Sequence, residues 1–103
     1  MEQNASSKPV TVIAKLVAKS GKESALEKEL IALISPTKLE AGCVEYVLHR
    51  SQKNPAELVI CETWSSPAAL EAHHAMPYMR ELMGKMEGLL AEPFQVSFLE
   101  KLS

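Results

Sequence analysis

The chain is short of the residue types from which many special sites are built: among its 103 residues are four glycines, two cysteines and one tryptophan. The four glycines form neither a dinucleotide fingerprint nor a phosphate loop, which removes those modes of nucleotide binding. There is no C-x-x-C pair and no H-E-x-x-H run, so no familiar zinc or redox motif is present. The longest apolar runs, such as Leu58 to Cys61, fall far below the ~18 residues of a transmembrane helix. Residues 1–8 carry no apolar stretch of the kind a secretory leader needs and are rich in Gln, Asn and Ser. They read as a disordered tail on a cytoplasmic protein. A net charge of -2 without a basic stripe argues against a nucleic-acid partner.

What is there is ordinary globular material: 47% apolar and 23% charged residues, close to the average of folded domains. One domain over residues 9–103 fits this length. From Val10 to Lys19 both phases are apolar, with Val10, Val12, Ala14 and Leu16 in one and Ile13 and Val17 in the other. That describes a strand covered on both sides. Ser20 with Glu23 has capping-box spacing, and Leu26, Leu30, Leu33 and Ile34 then form a helical stripe. Pro36 predicts a stop or kink near Ser35.

After the turn at Gly42, Cys43 to Arg50 and Glu57 to Trp64 read as a β-hairpin around Ser51-Gln52-Lys53-Asn54-Pro55. A turn centred near Asn54 sets Cys43 and Cys61 about three residues out of register, roughly 10 Å apart and beyond disulfide reach. Ser66-Pro67 is an N-cap followed by proline at the first helical position. Met76-Pro77 predicts a kink or restart, after which Met79, Leu82, Met83, Met86 and Leu90 form a second stripe. Phe94, Val96 and Phe98 alternate as a last strand.

The order βαββαβ is the ferredoxin-like, α+β pattern with an antiparallel four-stranded sheet. Its usual strand order, 4-1-3-2, places strands 1 and 3 at the centre, and these are the strands apolar in both phases. Two helical regions cover one face only, so the other face calls for a partner. A two-fold homodimer burying ~1,600 Å² or more would supply it.

One set of residues has a recurring order: Glu40-Ala41-Gly42-Cys43, Tyr46 and His49, then Glu62 and Trp64, then His73, then Pro77-Tyr78. From about Thr11 to Leu99 this resembles the antibiotic biosynthesis monooxygenase family. The resemblance implies a dimeric α+β barrel with one pocket per subunit between sheet and helices. It also implies oxidation of a hydroquinone or polycyclic phenol by O₂, with no metal and no cofactor. The same fold includes an isomerase of a phosphorylated quorum-sensing sugar derivative and haem-degrading enzymes. Isomerisation or lysis of a small oxygenated metabolite therefore stays open, as does a non-catalytic, ligand-binding or stress-response dimer.

Oxidation without a cofactor needs a base that makes the substrate an electron-rich anion, and histidine titrates in the right range. His73 lies one turn after Leu70 on its inward side and fills the family's histidine position, so it is the expected base, while His74 points some 100° away toward solvent. Glu62 sits among apolar neighbours on its strand and is expected to orient a histidine or polarise a substrate hydroxyl. Trp64 offers a flat wall for an aromatic ring; Tyr46 and Tyr78 offer hydroxyls; Met83 offers an adaptable wall. His49 is expected on the face that carries Glu62. Each of these aromatics is also what a packed core contains.

Overall fold

The computed structural model describes residues 8–103, so all of the expected tail but Lys8 lies outside the described residues. In chain order the elements are β1 (Val10–Val17), α1 (Glu23–Lys38), β2 (Cys43–Arg50), β3 (Glu57–Trp64), α2 (Pro67–His74), α3 (Pro77–Leu89) and β4 (Gln95–Leu99). The fold is α+β and ferredoxin-like: one sheet in the order β2-β3-β1-β4 with every pair antiparallel. Strands 1 and 3 are central, as their two-sided apolar pattern requires. No helix among the described residues is long and apolar enough to cross a membrane.

Register fixes the faces. Val12 lies between Glu62 and Phe98, Ala14 between Ile60 and Val96, and Leu16 beside Leu58. With period-two alternation these form the inner face, against which Leu26, Leu30 and Leu33 of α1 are buried. Each such leucine contributes about 1.5–3 kcal/mol by leaving water. The outer face carries Ile13 beside Cys61, and Lys15 beside Val59. All five residues of β4 are exposed, so the inner face is open along that edge.

The β2–β3 hairpin turns about Asn54, with Arg50 opposite Leu58. The Ser51 hydroxyl accepts from the backbone N–H groups of Lys53 and Asn54, and the Asn54 side chain accepts from Ala56. Cys43 pairs with Trp64 while Cys61 pairs with Val47, and both thiols are free. A β-bulge separates Cys43 from Glu45 and leaves Val44 without a partner residue.

Two helix boundaries differ from expectation. The Ser20 capping box does not form; α1 starts at Glu23, whose carboxyl accepts from the Gly21 N–H at 3.0 Å. Gly21 takes φ +86°, a left-handed turn that glycine alone adopts without penalty, and this moves the helix start two residues on. Pro36 lies inside α1, which runs on to Lys38. Only one helical hydrogen bond is lost so near the end, Thr37 is fully buried, and Leu39 and Glu40 donate to the carbonyls of Pro36 and Thr37. At Ser66 the cap forms as expected, accepting from Ala69 at 3.1 Å. Met76, extended before Pro77, breaks the helical region into α2 and α3.

Candidate active site

β3 points Leu58, Ile60, Glu62 and Trp64 inward, so the strand's alternation places a carboxyl where an apolar side chain would be expected. Glu62 is 7% exposed, and the Trp64 indole Nε1–H donates to its Oε1 at 2.8 Å. Residues two apart on a strand share a face, which makes this bond possible. Burial raises the Glu62 carboxyl above the ordinary carboxylate range, opposed by the Trp64 bond and His73 and reinforced by Glu40. Tyr46 is the cross-strand partner of Glu62. Burial first, and then the neighbouring Glu62, push its hydroxyl far above the ordinary phenol value, so it stays a neutral hydrogen-bond donor.

Glu62 and Tyr46 open onto a cavity of about 340 Å³ between the inner face of the sheet and the helices. Its walls are apolar: Val12, Ala14 and Leu16 from β1, Leu30 and Leu33 from α1, and Met79, Leu82 and Met83 from α3. Phe94, Val96 and Phe98 line the side along β4. The third polar contributor is His74, the last residue of α2. Burial, and then His73, hold its imidazole below the ordinary histidine value, with Glu40 acting the other way. Among the described residues, no lysine or arginine lines the cavity. A small number of polar groups in an apolar enclosure is the usual character of a small-molecule site.

Behind this cavity lies a second polar cluster. His73 is 1% exposed, and its Nδ1 meets Glu40 Oε2 at 2.9 Å. The Tyr78 hydroxyl donates to the same oxygen. Burial and then Glu40 push that hydroxyl up to about 12. The His73 ring lies 4.6 Å from the Trp64 ring at a tilt of 31°, and edge-on to Tyr46 at 5.9 Å. Its Nε2 is buried with no hydrogen-bond partner among the described residues.

Residues 9–85 match the profile of the antibiotic biosynthesis monooxygenase family. The chain belongs to this family. It is 36% identical over 94 residues to Rv0793 of Mycobacterium tuberculosis, provisionally named a monooxygenase, and spans 91% of this chain and 92% of that protein. The solved structure of PA3566 from Pseudomonas aeruginosa superposes with a TM-score of 0.89 at 35% identity, covering 95% of this chain and 98% of the other. That of Rv0793 gives 0.89 at 35% identity, covering 93% and 97%. An antibiotic biosynthesis monooxygenase only 24% identical shares the fold, with a TM-score of 0.85 over 91% of this chain and 99% of the other.

The structure distributes the expected site residues unevenly within this monooxygenase-family fold. Glu62, Tyr46 and Met83 meet at the cavity. His73 turns inward with Leu70 as expected, is buried, and does not line the cavity. Trp64, fully buried, likewise backs the cavity instead of lining it, because His73 covers its face. Tyr78 is engaged by Glu40 and does not line the cavity. His49 pairs with Val59, one position out of phase with Glu62, and is exposed on the opposite face of the sheet.

Two residues that matter here were given no role by sequence. His74 is exposed, as expected, and also lines the cavity at the end of α2. Glu40 gathers partners 33 and 38 residues away, a convergence that no local pattern encodes. Among the described residues no group of three or more His, Cys, Asp or Glu side chains is gathered in a metal-binding arrangement.

Proposed function

We propose that this chain is a monooxygenase that oxidises a neutral hydroquinone or polycyclic phenol with O₂. The observation that carries the reading is Glu62: a buried carboxyl, fixed by Trp64, at the polar end of an otherwise apolar cavity. The family and the provisional name of its Mycobacterium relative support oxygenation in general; the cavity suggests the substrate. A flat aromatic ring matches its Leu, Met and Phe walls. The absence of a lining lysine or arginine among the described residues disfavours the phosphorylated metabolites that an isomerase or lyase of this fold would take.

Chemically, ground-state O₂ reacts slowly with neutral phenols and faster with their anions, so the protein's task is to remove a proton. Glu62 accepts the proton of a substrate hydroxyl; its raised basicity brings it closer to the phenol, as Brønsted behaviour favours. The Tyr46 hydroxyl donates to the developing oxyanion. His74, exposed at the cavity, is in this proposal the group that hands the proton on to solvent. A hydroquinone and O₂ then give a hydroxyquinone and water, the substrate supplying all the electrons. The working unit in this proposal is a homodimer, closed over the outer sheet face where Ile13, Val47 and Val59 are only partly covered.

Oxygen uptake with a panel of hydroquinones tests the reading. Uptake that survives a chelator, with no metal or flavin in stoichiometric amount, is expected. Tight binding of these phenols without turnover would replace it by a ligand-binding dimer, and loss of activity on chelation would replace it by a metal-dependent reaction.

A further inference from the structure

Glu40 lies in the turn after α1 and does not line the cavity, yet one of its oxygens is the meeting point of His73 from α2 and Tyr78 from α3. Its side chain is 6% exposed, so this is a built contact. Among the described residues the His73 ring has a single polar anchor, the Nδ1 contact at 2.9 Å, because Nε2 is buried with no partner there. Glu40 alone therefore sets the rotation of that ring among hydrogen-bonding groups. The ring in turn lies against both neighbours of Glu62: Trp64 at 4.6 Å and Tyr46 at 5.9 Å.

We propose that Glu40 is a positioning residue for Glu62, acting through the His73 ring and Trp64. The inference rests on the reading that Glu62 is the acting carboxyl. A hydrogen bond weakens steeply as its angle departs from linear, so the indole Nε1–H holds Glu62 only while the Trp64 plane is fixed. The plane is fixed by the ring lying against it. Tyr78 completes the arrangement by binding Glu40 on the same oxygen and restricting its rotamer. Trp64 is the only tryptophan in the chain, so its indole N–H gives one resolved resonance that reports the Glu62 contact with no substrate present.

Hydrogen exchange of that indole N–H should accelerate about tenfold or more in Glu40→Ala, beyond the change in the core backbone amides of Leu26 and Leu30 that measures global opening. Glu40→Gln, whose amide oxygen still accepts from Nδ1–H, should restore it. In turnover, Glu40→Ala should lower kcat and leave KM nearly unchanged. If Glu40→Ala does not fold, His73→Phe keeps a flat ring without the anchor and should show the same indole acceleration. Indole exchange that rises no more than the core amides, in whichever variant folds, would overturn the proposal and reduce Glu40 to a stabilising contact. A wild type that oxidises no phenol would defeat the functional reading instead, and the exchange comparison would stand on its own.

Discussion

His73 and His74 are consecutive in the chain with rings 5.6 Å apart, and the cavity wall runs between them. The first is sealed under Trp64 and bound to Glu40; the second reaches the cavity. A step of about 100° around the helix thus divides two chemically identical side chains into one that is buried and one that lines the cavity.

That division predicts opposite phenotypes. His74→Ala should lower turnover by about tenfold or more, through a lost proton relay, with a melting temperature close to the wild type. His73→Ala should cost about 2 kcal/mol or more, because it leaves a cavity under Trp64 and strips a partner from Glu40. Paired thermal melts and initial rates separate the two, and a wild-type rate in His74→Ala would end its role as relay.

Glu62→Gln should do two things at once. Turnover should fall ~10²-fold, the usual share of a general base, while stability at neutral pH should rise. The sign follows from linkage: a carboxyl raised in the fold binds its proton more tightly there than in the unfolded chain. Its ionisation therefore withdraws stability as pH climbs through the folded value. Below the ordinary value of ~4.3 both states are protonated and the advantage of the variant should vanish. Melting temperatures across this range check it; a gain that is independent of pH would refute it.

Gly42 leaves no room for a side chain. A Cβ built there would collide with the Ala69 Cβ and press on the Ser65 hydroxyl at 3.0 Å, while the Gly42 carbonyl accepts from the Ser65 N–H at 2.8 Å. Gly42→Ala should cost about 1–3 kcal/mol as overpacking between the β2 entry and α2. Adding Ala69→Gly should recover part of that loss. Urea midpoints at constant slope read both effects.

Ile13→Glu places a charge on the outer face, between Cys61 and Ser97, without touching the cavity. If that face closes a dimer, sedimentation should show a mass near twice the chain mass for the wild type and a shift toward monomer for the variant, with unchanged circular dichroism. A monomeric wild type at micromolar concentration would remove the dimer from the proposal.

The topology and central strands were legible because both-phase apolarity and the βαββαβ order point to the same sheet. Glu62 was legible for a related reason: a carboxyl in phase with Leu58, Ile60 and Trp64 must be buried or must break the strand. His49 was legible too, against the expectation: the turn near Asn54 that separates the two cysteines also sets His49 opposite Val59, out of step with Glu62, so its place on the other face follows from that same register. His73 and His74 were distinguished by angle correctly, but which of the two meets the cavity depends on how deep α2 sits. That is a packing distance, and periodicity carries no information about it. Glu40 opens the recurring set in the sequence, but its meeting with His73 and Tyr78 became visible only when those distant partners were brought to it.

The bulge at Val44 has a consequence for how this strand tolerates deletion. Beyond Tyr46, removing one residue with the turn register kept would rotate Tyr46 off the cavity and bring Glu45 in, since a one-residue slip reverses the face of every shifted side chain. At Val44 itself, 65% exposed and unpaired, a deletion would only regularise the ladder, with Cys43 still facing Trp64 and Glu45 still facing Thr63. A one-residue deletion at Val44 or Glu45 should therefore leave Tyr46 opposite Glu62, whereas a deletion just after Tyr46 that keeps the turn register would set Tyr46 opposite Cys61 on the outer face.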